Sequence, residues 1–261
     1  MSKESIVAVS GLGLERDGGT LRITFDKPER LNALTAEIIH AAADAVDAAA
    51  DDGTRVIVLT GAGRAFSSGA DVGPDGAAPG FDTLDAANRF TLAVTSSPVP
   101  VIAAVNGVAA GVGCSFALAA DLTIAKESAS FMLAFTKIGL MPDGGASMLV
   151  PAAVGRARAA RMALLAEKVS AAKAADWGLI AEVVADDEFD AAVERMVTQL
   201  ANGAPLALAA TKRAVNAATI SALEDILALE RSGQGPLLES SDFAEGIAAF
   251  QEKRAAHFTG R

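Results

Sequence analysis

One cysteine and two histidines stand among the 261 residues of this chain. An ordinary structural zinc site needs about four such ligands, so no metal or redox cofactor is expected. The lone thiol, Cys114, excludes an intramolecular disulfide and suits a reducing compartment. Set among small apolar neighbours, it reads as a packed side chain rather than a nucleophile. Positive charge is also short, with 22 Lys and Arg against 32 Asp and Glu and a net charge of -10. A general nucleic-acid binder, or a protein drawn to anionic membranes, needs the opposite sign. Residues 1–5 hold no apolar core of signal-peptide length, so a cytoplasmic protein is expected. The run from Leu92 to Ala120 carries no charge. Pro98, Pro100, Asn106 and three glycines break it, and no membrane span is expected there.

What is present suits an enzyme-sized α/β protein: 51% of residues are hydrophobic, enough to fill a substantial core. Residues 21–25 alternate as a strand does, and Lys27-Pro28-Glu29-Arg30 closes it as a turn. Thr35 is placed to cap an Ala-rich helix reaching about Ala50. Residues 56–60 and 101–105 are short apolar runs of the kind buried on both faces of a parallel sheet, with a helix over about 82–95 between them. A third run, residues 122–125, follows. Beyond Arg156 helices dominate, over about 156–166, 171–177, 188–201, 206–217, 221–231 and 242–255, interrupted by one strand at 180–184. The turn Asn202-Gly203-Ala204-Pro205 suggests a division into an α/β core, residues 1–200, and a helical region, residues 201–261.

Two turns carry the chemical signal. Val105 runs into Asn106-Gly107-Val108-Ala109-Ala110-Gly111-Val112-Gly113-Cys114-Ser115, an apolar strand, then glycines, then a small-residue helix. The first N–H groups of a helix lack intrahelical partners, and glycine lets a backbone come close to a ligand. The spacing fits neither the phosphate loop nor the dinucleotide fingerprint. The second turn, Phe66-Ser67-Ser68-Gly69-Ala70-Asp71, follows the preceding buried strand. Neighbouring parallel strands would bring the two together, so that amides from both grip one oxygen as it gains negative charge.

Asn32-Ala33-Leu34, the Phe66–Asp71 turn, Pro100 to Cys114, Pro142-Asp143-Gly144-Gly145 and Trp177-Gly178-Leu179-Ile180 stand in an order that resembles the crotonase, or enoyl-CoA hydratase/isomerase, family over nearly the whole chain. The resemblance implies a spiral of ββα units with a C-terminal helical trimerisation region, assembly as a homotrimer or as a hexamer of two trimers, and an acyl-CoA thioester as substrate, coenzyme A entering only as part of that substrate. By position it implies an oxyanion hole made by the N–H groups of Ala70 and Val112. It further implies coenzyme A contacts near Arg30 and Asn32, along Phe66, Ser68, Ala70, Asp71 and Val72, and at Phe250 and Lys253 in the C-terminal region. Gly111, Ser115, Phe135 and Met141 complete the expected substrate-binding set.

The reaction is a separate question, because one scaffold hosts several chemistries. Where the family's hydratases carry two glutamates, this chain has Ser115 and Phe135, neither of which is a carboxylate base. Ser115 reads as a small helical residue or a substrate contact, and Phe135 as cavity wall or core. Asp143 reads either as a turn residue capping the next helix or, by resemblance to Δ3,Δ2-enoyl-CoA isomerases and more closely to phenylacetate-pathway isomerases acting on ring-epoxidised phenylacetyl-CoA, as the catalytic acid/base. An apolar pocket would raise its pKa toward neutrality, and Phe90, Leu133, Phe135 and Met141 are candidates for the water-excluding wall. The leading expectation is therefore an acyl-CoA isomerase. An enoyl-CoA hydratase using another base and a catalytically silent acyl-CoA binder are the alternatives. His40 and His257 look peripheral.

Overall fold

The computed structural model describes residues 4–73 and 79–261; the first three of the residues read for an export signal lie outside them. Strands β1 (Glu4–Val9), β2 (Leu12–Asp17) and β3 (Thr20–Phe25) form an antiparallel meander followed by α1 (Ala36–Ala48). Thr35 caps α1 as its sequence position suggests, accepting the Ile38 N–H. A two-strand-and-helix unit then repeats: β4 (Val56–Gly61), β5 (Ala65–Ser67) and α2 (Phe81–Ser96); β6 (Val101–Val105), β7 (Val108–Ala110) and α3 (Val112–Ala119); β8 (Leu122–Lys126), β9 (Ser130–Met132) and α4 (Ala146–Leu165). The chain continues through β10 (Val169–Ser170), α5 (Ala171–Trp177), β11 (Glu182–Val184), α6 (Phe189–Ala201), α7 (Pro205–Thr219), α8 (Leu223–Leu238) and α9 (Ser241–Glu252).

Each unit sends its first strand to a large sheet, ordered β1-β2-β3-β4-β6-β8-β11, and its second to a small sheet, ordered β10-β9-β7-β5. In the large sheet β4 and β6 pair in parallel, Val58 opposite Ile102 and Leu59 opposite Ala103. Both strands are apolar because both faces are covered. Ile57, Leu59, Val101 and Ala103 join the main core, whereas Val56, Val58, Ile102 and Ala104 pack with Phe189, Val193 and Val197 of α6. The period-2 alternation of side chains thus feeds two cores from two strands.

Three expectations are corrected. The segment after Val105 does not pass straight from turn to helix, since Val108–Ala110 is a strand pairing with β5 and β9. Both chemical turns therefore leave the small sheet, not the large one. Three-residue strands are too short to show a hydrophobic period. The helix expected from about Arg156 begins at Ala146, and Gly155, at φ 74° and ψ 166°, breaks its helical path just before that residue. The helix expected to end at Arg231 runs on to Leu238, with Pro236 inside its last turn. The uncharged run from Leu92 to Ala120 is divided among α2, β6, β7 and α3, and among the described residues no helix is long and apolar enough to cross a membrane.

The C-terminal helices are tied to the core by a buried cation. Lys212 of α7 donates its Nζ to the carbonyls of Val94 and Val99 at 2.7 and 3.3 Å and pairs with Asp121 at 2.9 Å. Asp121 also accepts the Val101 N–H, which starts β6. Burial lowers the Lys212 pKa and raises that of Asp121, and their mutual attraction opposes both shifts. Removing the lysine would leave a desolvated carboxylate without its cation. Lys212→Met should cost about 3 kcal/mol at pH 7 in urea unfolding, and less at a pH low enough to protonate Asp121.

Candidate active site

The turn that follows β5 is built by buried polar side chains. Asn32, with φ 56°, donates its Nδ2 to the carbonyls of Ala62 and Ala65 at 2.9 and 2.7 Å, while its Oδ1 accepts the Lys27 N–H. Ser67 donates its Oγ to the Asn32 carbonyl and accepts the Gly69 N–H. The Asp71 N–H is used by the Leu34 carbonyl. Between these two bonded amides, the Ala70 N–H has no acceptor among the described residues.

The second turn touches the first. Gly69 has φ +96°, and a Cβ there would lie 2.9 Å from the Ala110 carbonyl oxygen and 3.4 Å from the Val112 nitrogen. Only glycine combines that backbone conformation with such proximity. Val112 is the first residue of α3, so its N–H has no intrahelical acceptor, and no other described residue supplies one. Two unpaired amides from adjacent turns therefore open on one space, as an oxyanion hole requires.

That space is a cavity of about 380 Å³, lined by residues that include Ala70, Gly111, Val112, Phe135, Leu84 and Asp143. Asp143 reaches it from a turn lying directly on α3. A Cβ on Gly144 would come 3.2 Å from Val112 Cγ2, and Ser115 Oγ donates to the Asp143 carbonyl at 2.8 Å. Thr91, buried in α2, holds the Gly144 carbonyl from the other side at 2.8 Å.

Asp143 does not cap α4. The cap position is Gly145, and the carboxylate serving that helix end is Glu230 of α8, which accepts the Gly145 and Ser147 N–H groups at 2.8 Å each. The Asp143 carboxyl instead accepts one bond, at 2.9 Å, from Gln234 Nε2 to its Oδ2. Its Oδ1 is buried and has no partner among the described residues. Desolvation chiefly pushes the Asp143 pKa up to about 7; the Gln234 hydrogen bond opposes this and the nearby Glu230 charge adds to it.

A carboxyl poised near neutrality beside two unpaired amides is equipped to move a proton next to a carbonyl whose oxygen becomes an anion. Comparison with known proteins agrees with that reading at the level of family. The model for "Enoyl-CoA hydratase/isomerase" matches residues 15–261. The chain belongs to that family.

Among relatives of this hydratase/isomerase family member, a "Probable enoyl-CoA hydratase" of Rhodobacter capsulatus is 50% identical over 93% of this chain and 95% of its own. The "1,2-epoxyphenylacetyl-CoA isomerase" of Escherichia coli is 40% identical over 93% of this chain and 96% of its own. Among solved structures, an enoyl-CoA hydratase from Mycobacterium avium subsp. paratuberculosis superposes with a TM-score of 0.92 at 48% identity, covering 96% of this chain and 99% of that one. The fold is thus the crotonase fold, with its paired sheets and ββα repeats.

Of the residues singled out from the sequence, Ser68, Ala70, Val72, Gly111, Val112, Phe135, Asp143 and Phe250 line the cavity. Others do not. Phe66 is fully buried, its ring 5.6 Å from that of Phe25 and edge-on to it. Arg30 pairs with Asp71 at 2.7 Å beside the cavity. Ser115 is buried behind it, and Lys253 ends α9 in a left-handed conformation, exposed. Of the four candidates for a water-excluding wall, only Phe135 lines the cavity: Phe90 packs on Phe116 at 4.5 Å, Leu133 is core, and Met141 is held through its backbone by Gln234.

Sequence reading missed Gln234, Glu230 and Thr91. A signal existed for the first two: Leu223, Leu227, Glu230 and Gln234 are buried at helical spacing, so two polar residues continue an apolar stripe. Ending the helix at Arg231 concealed it.

The raised Asp143 pKa is also a stability statement. A carboxyl titrating near 7 in the folded protein and at 3.8 when free binds its proton more tightly when folded. Its contribution is therefore full below 3.8 and lost as the pH rises through about 7. Asp143→Asn, which removes the charge and keeps the shape, should stabilise the protein at pH 8 by on the order of a few kcal/mol and change little at pH 4, measured by denaturant unfolding.

Proposed function

We propose that this protein is an acyl-CoA isomerase in which Asp143 is the single acid/base and the Ala70 and Val112 amides hold the thioester oxygen. The observation that carries the reading is the pairing of one buried carboxyl of raised pKa with two acceptor-free amides on one cavity. Asp143 removes a C2 proton from a 3-enoyl-CoA, and the electron pair moves onto the thioester oxygen, giving a dienolate that the two amides stabilise. The pair then returns through C2–C3 while the same carboxyl delivers the proton to C4. A 2-enoyl-CoA results, with no water added and no further cofactor. The apolar lining, including Leu84, Phe135, Leu140 and Phe250, suits an apolar acyl group and keeps water away. Likeness to the Escherichia coli isomerase extends the candidate substrates to an epoxide of phenylacetyl-CoA.

A second reading, hydration of a 2-enoyl-CoA, draws on the name of the Rhodobacter capsulatus relative. Ser115, buried with its hydroxyl committed to the Asp143 carbonyl, and Phe135 count against it, since neither handles a proton as a carboxylate would. A substrate panel of 3-enoyl, 2-enoyl and epoxidised phenylacetyl thioesters, followed by ultraviolet absorbance and mass spectrometry, separates the two. Isomerisation conserves mass, and hydration adds one water. The expected result is mass-neutral conversion whose kcat/KM climbs as the pH passes about 7, with Asp143→Asn lower by about 100-fold or more. Equal rates for wild type and variant, or faster water addition, would reject the reading.

Assembly as a homotrimer, or as a hexamer of two trimers, is proposed through the C-terminal helical region, residues 201–261. Leu206 on α7, 86% exposed, and Leu164 and Leu165 at the end of α4, 73% and 70% exposed, support an apolar mating surface. Light scattering should return three or six chain masses; a monomer would contradict the proposal.

A further inference from the structure

We propose that Gln234, backed by Glu230 one turn earlier on α8, is the positioning residue that orients the Asp143 carboxyl and leaves Oδ1 as the oxygen that carries the transferred proton. The inference rests on the reading of Asp143 as acid/base, and it concerns how that group is set rather than what it acts on.

The Gln234 amide has no freedom to turn over. The Met141 N–H is only a donor, and Gln234 Oε1 accepts it at 3.0 Å; the Met141 carbonyl is only an acceptor, and Gln234 Nε2 donates to it at 3.0 Å. This two-point clamp on a backbone fixes which end of the amide is nitrogen. The remaining Nε2 hydrogen is directed at Asp143 Oδ2 at 2.9 Å. An oxygen already accepting from a fixed donor is the poorer site for a proton, whereas Oδ1 has no partner among the described residues. The amide therefore distinguishes two oxygens that are equivalent in a free carboxylate.

Glu230 acts from behind. It is fully buried, and each oxygen accepts a backbone N–H at the start of α4, an end that favours negative charge. Burial raises the pKa of Glu230 itself, and the Ser147 and Gly145 donors oppose that shift; when ionised, Glu230 disfavours ionisation of Asp143, whereas the Gln234 donor favours it. The other elements around the carboxyl add little charge. Lys137 lines the cavity from the turn before the Asp143 loop; α2 presents Thr83, Leu84 and Ala87, α3 Val112 and Ser115, and α9 Phe250. Next to Ala70 in the chain, Asp71 is paired with Arg30. Two residues on one helix face thus pull the same carboxyl in opposite directions, on top of the larger upward shift that burial gives it.

The test reads Asp143 directly. Infrared difference spectra across pH 5–9 follow the protonated carboxyl band, assigned by its loss in Asp143→Asn. In Gln234→Leu the midpoint should move up by about one unit, a tenfold change in acid constant. Gln234→Glu keeps the acceptor for the Met141 N–H but sets a second carboxyl against Oδ2, and should move the midpoint further up. Glu230→Gln should move it down. The kcat for 3-enoyl isomerisation at pH 7 should fall about tenfold in Gln234→Leu with KM within about twofold. A brace of purely structural importance would lower thermal stability and leave the midpoint in place. Midpoints that coincide with wild type in Gln234→Leu and Gln234→Glu, or no Asp143 band at any pH, overturn the proposal. Shifted midpoints in a protein that moves no double bond uphold the setting of the carboxyl by Gln234 and reject both the acid/base reading and the transferred proton on Oδ1.

Discussion

The site depends on one close approach, between the backbone at Gly69 and the backbone from Ala110 to Val112. Any side chain at Gly69 would push the β5 turn away from the β7 turn, and the two amides would no longer open on the same space. The architecture exists to make that approach possible. Successive ββα units lay their second strands side by side in the small sheet, so loops far apart in sequence leave it as neighbours. Asn32, Ser67 and Leu34 then spend their polar groups on the first turn and leave the Ala70 N–H over. The cost of orienting these donors is met in folding and not at the moment of reaction.

The carboxyl is held by a different part of the chain. Asp143 sits on a glycine turn packed on α3, but its environment is set by α8, nearly a hundred positions later. Glu230 satisfies the start of α4, Gln234 clamps Met141, and both act on Asp143. The helical region is thus part of the site as well as the proposed mating surface. Lys212 reinforces the same dependence by binding α7 to the ends of α2 and β6.

Much of this was legible along the chain. Two apolar runs, 56–60 and 101–105, announced parallel strands because both of their faces are covered. Thr35 announced a helix start because its hydroxyl has an amide to accept. The glycine turns and the order of motifs indicated the family and the positions of Ala70, Val112 and Asp143 on the cavity. The three-residue strands of the small sheet were not legible, since a period of two needs more residues to appear. Arg30, Phe66 and Ser115 lie in the right motifs yet off the cavity, because a motif fixes where the backbone goes and not which side chain faces a ligand.

The sequence by itself determined the family, the α/β class, the scarcity of ligands for a metal and the lack of a carboxylate at Ser115 and Phe135; each is a matter of residue type at a position. Only the tertiary structure decided that Asp143 leaves its helix end to Glu230, that its Oδ1 is unpartnered, and that Gln234 grips the other oxygen. Those facts depend on a helix folding back across some ninety residues of chain, and a buried carboxyl takes its proton affinity from what surrounds it and not from its neighbours in sequence.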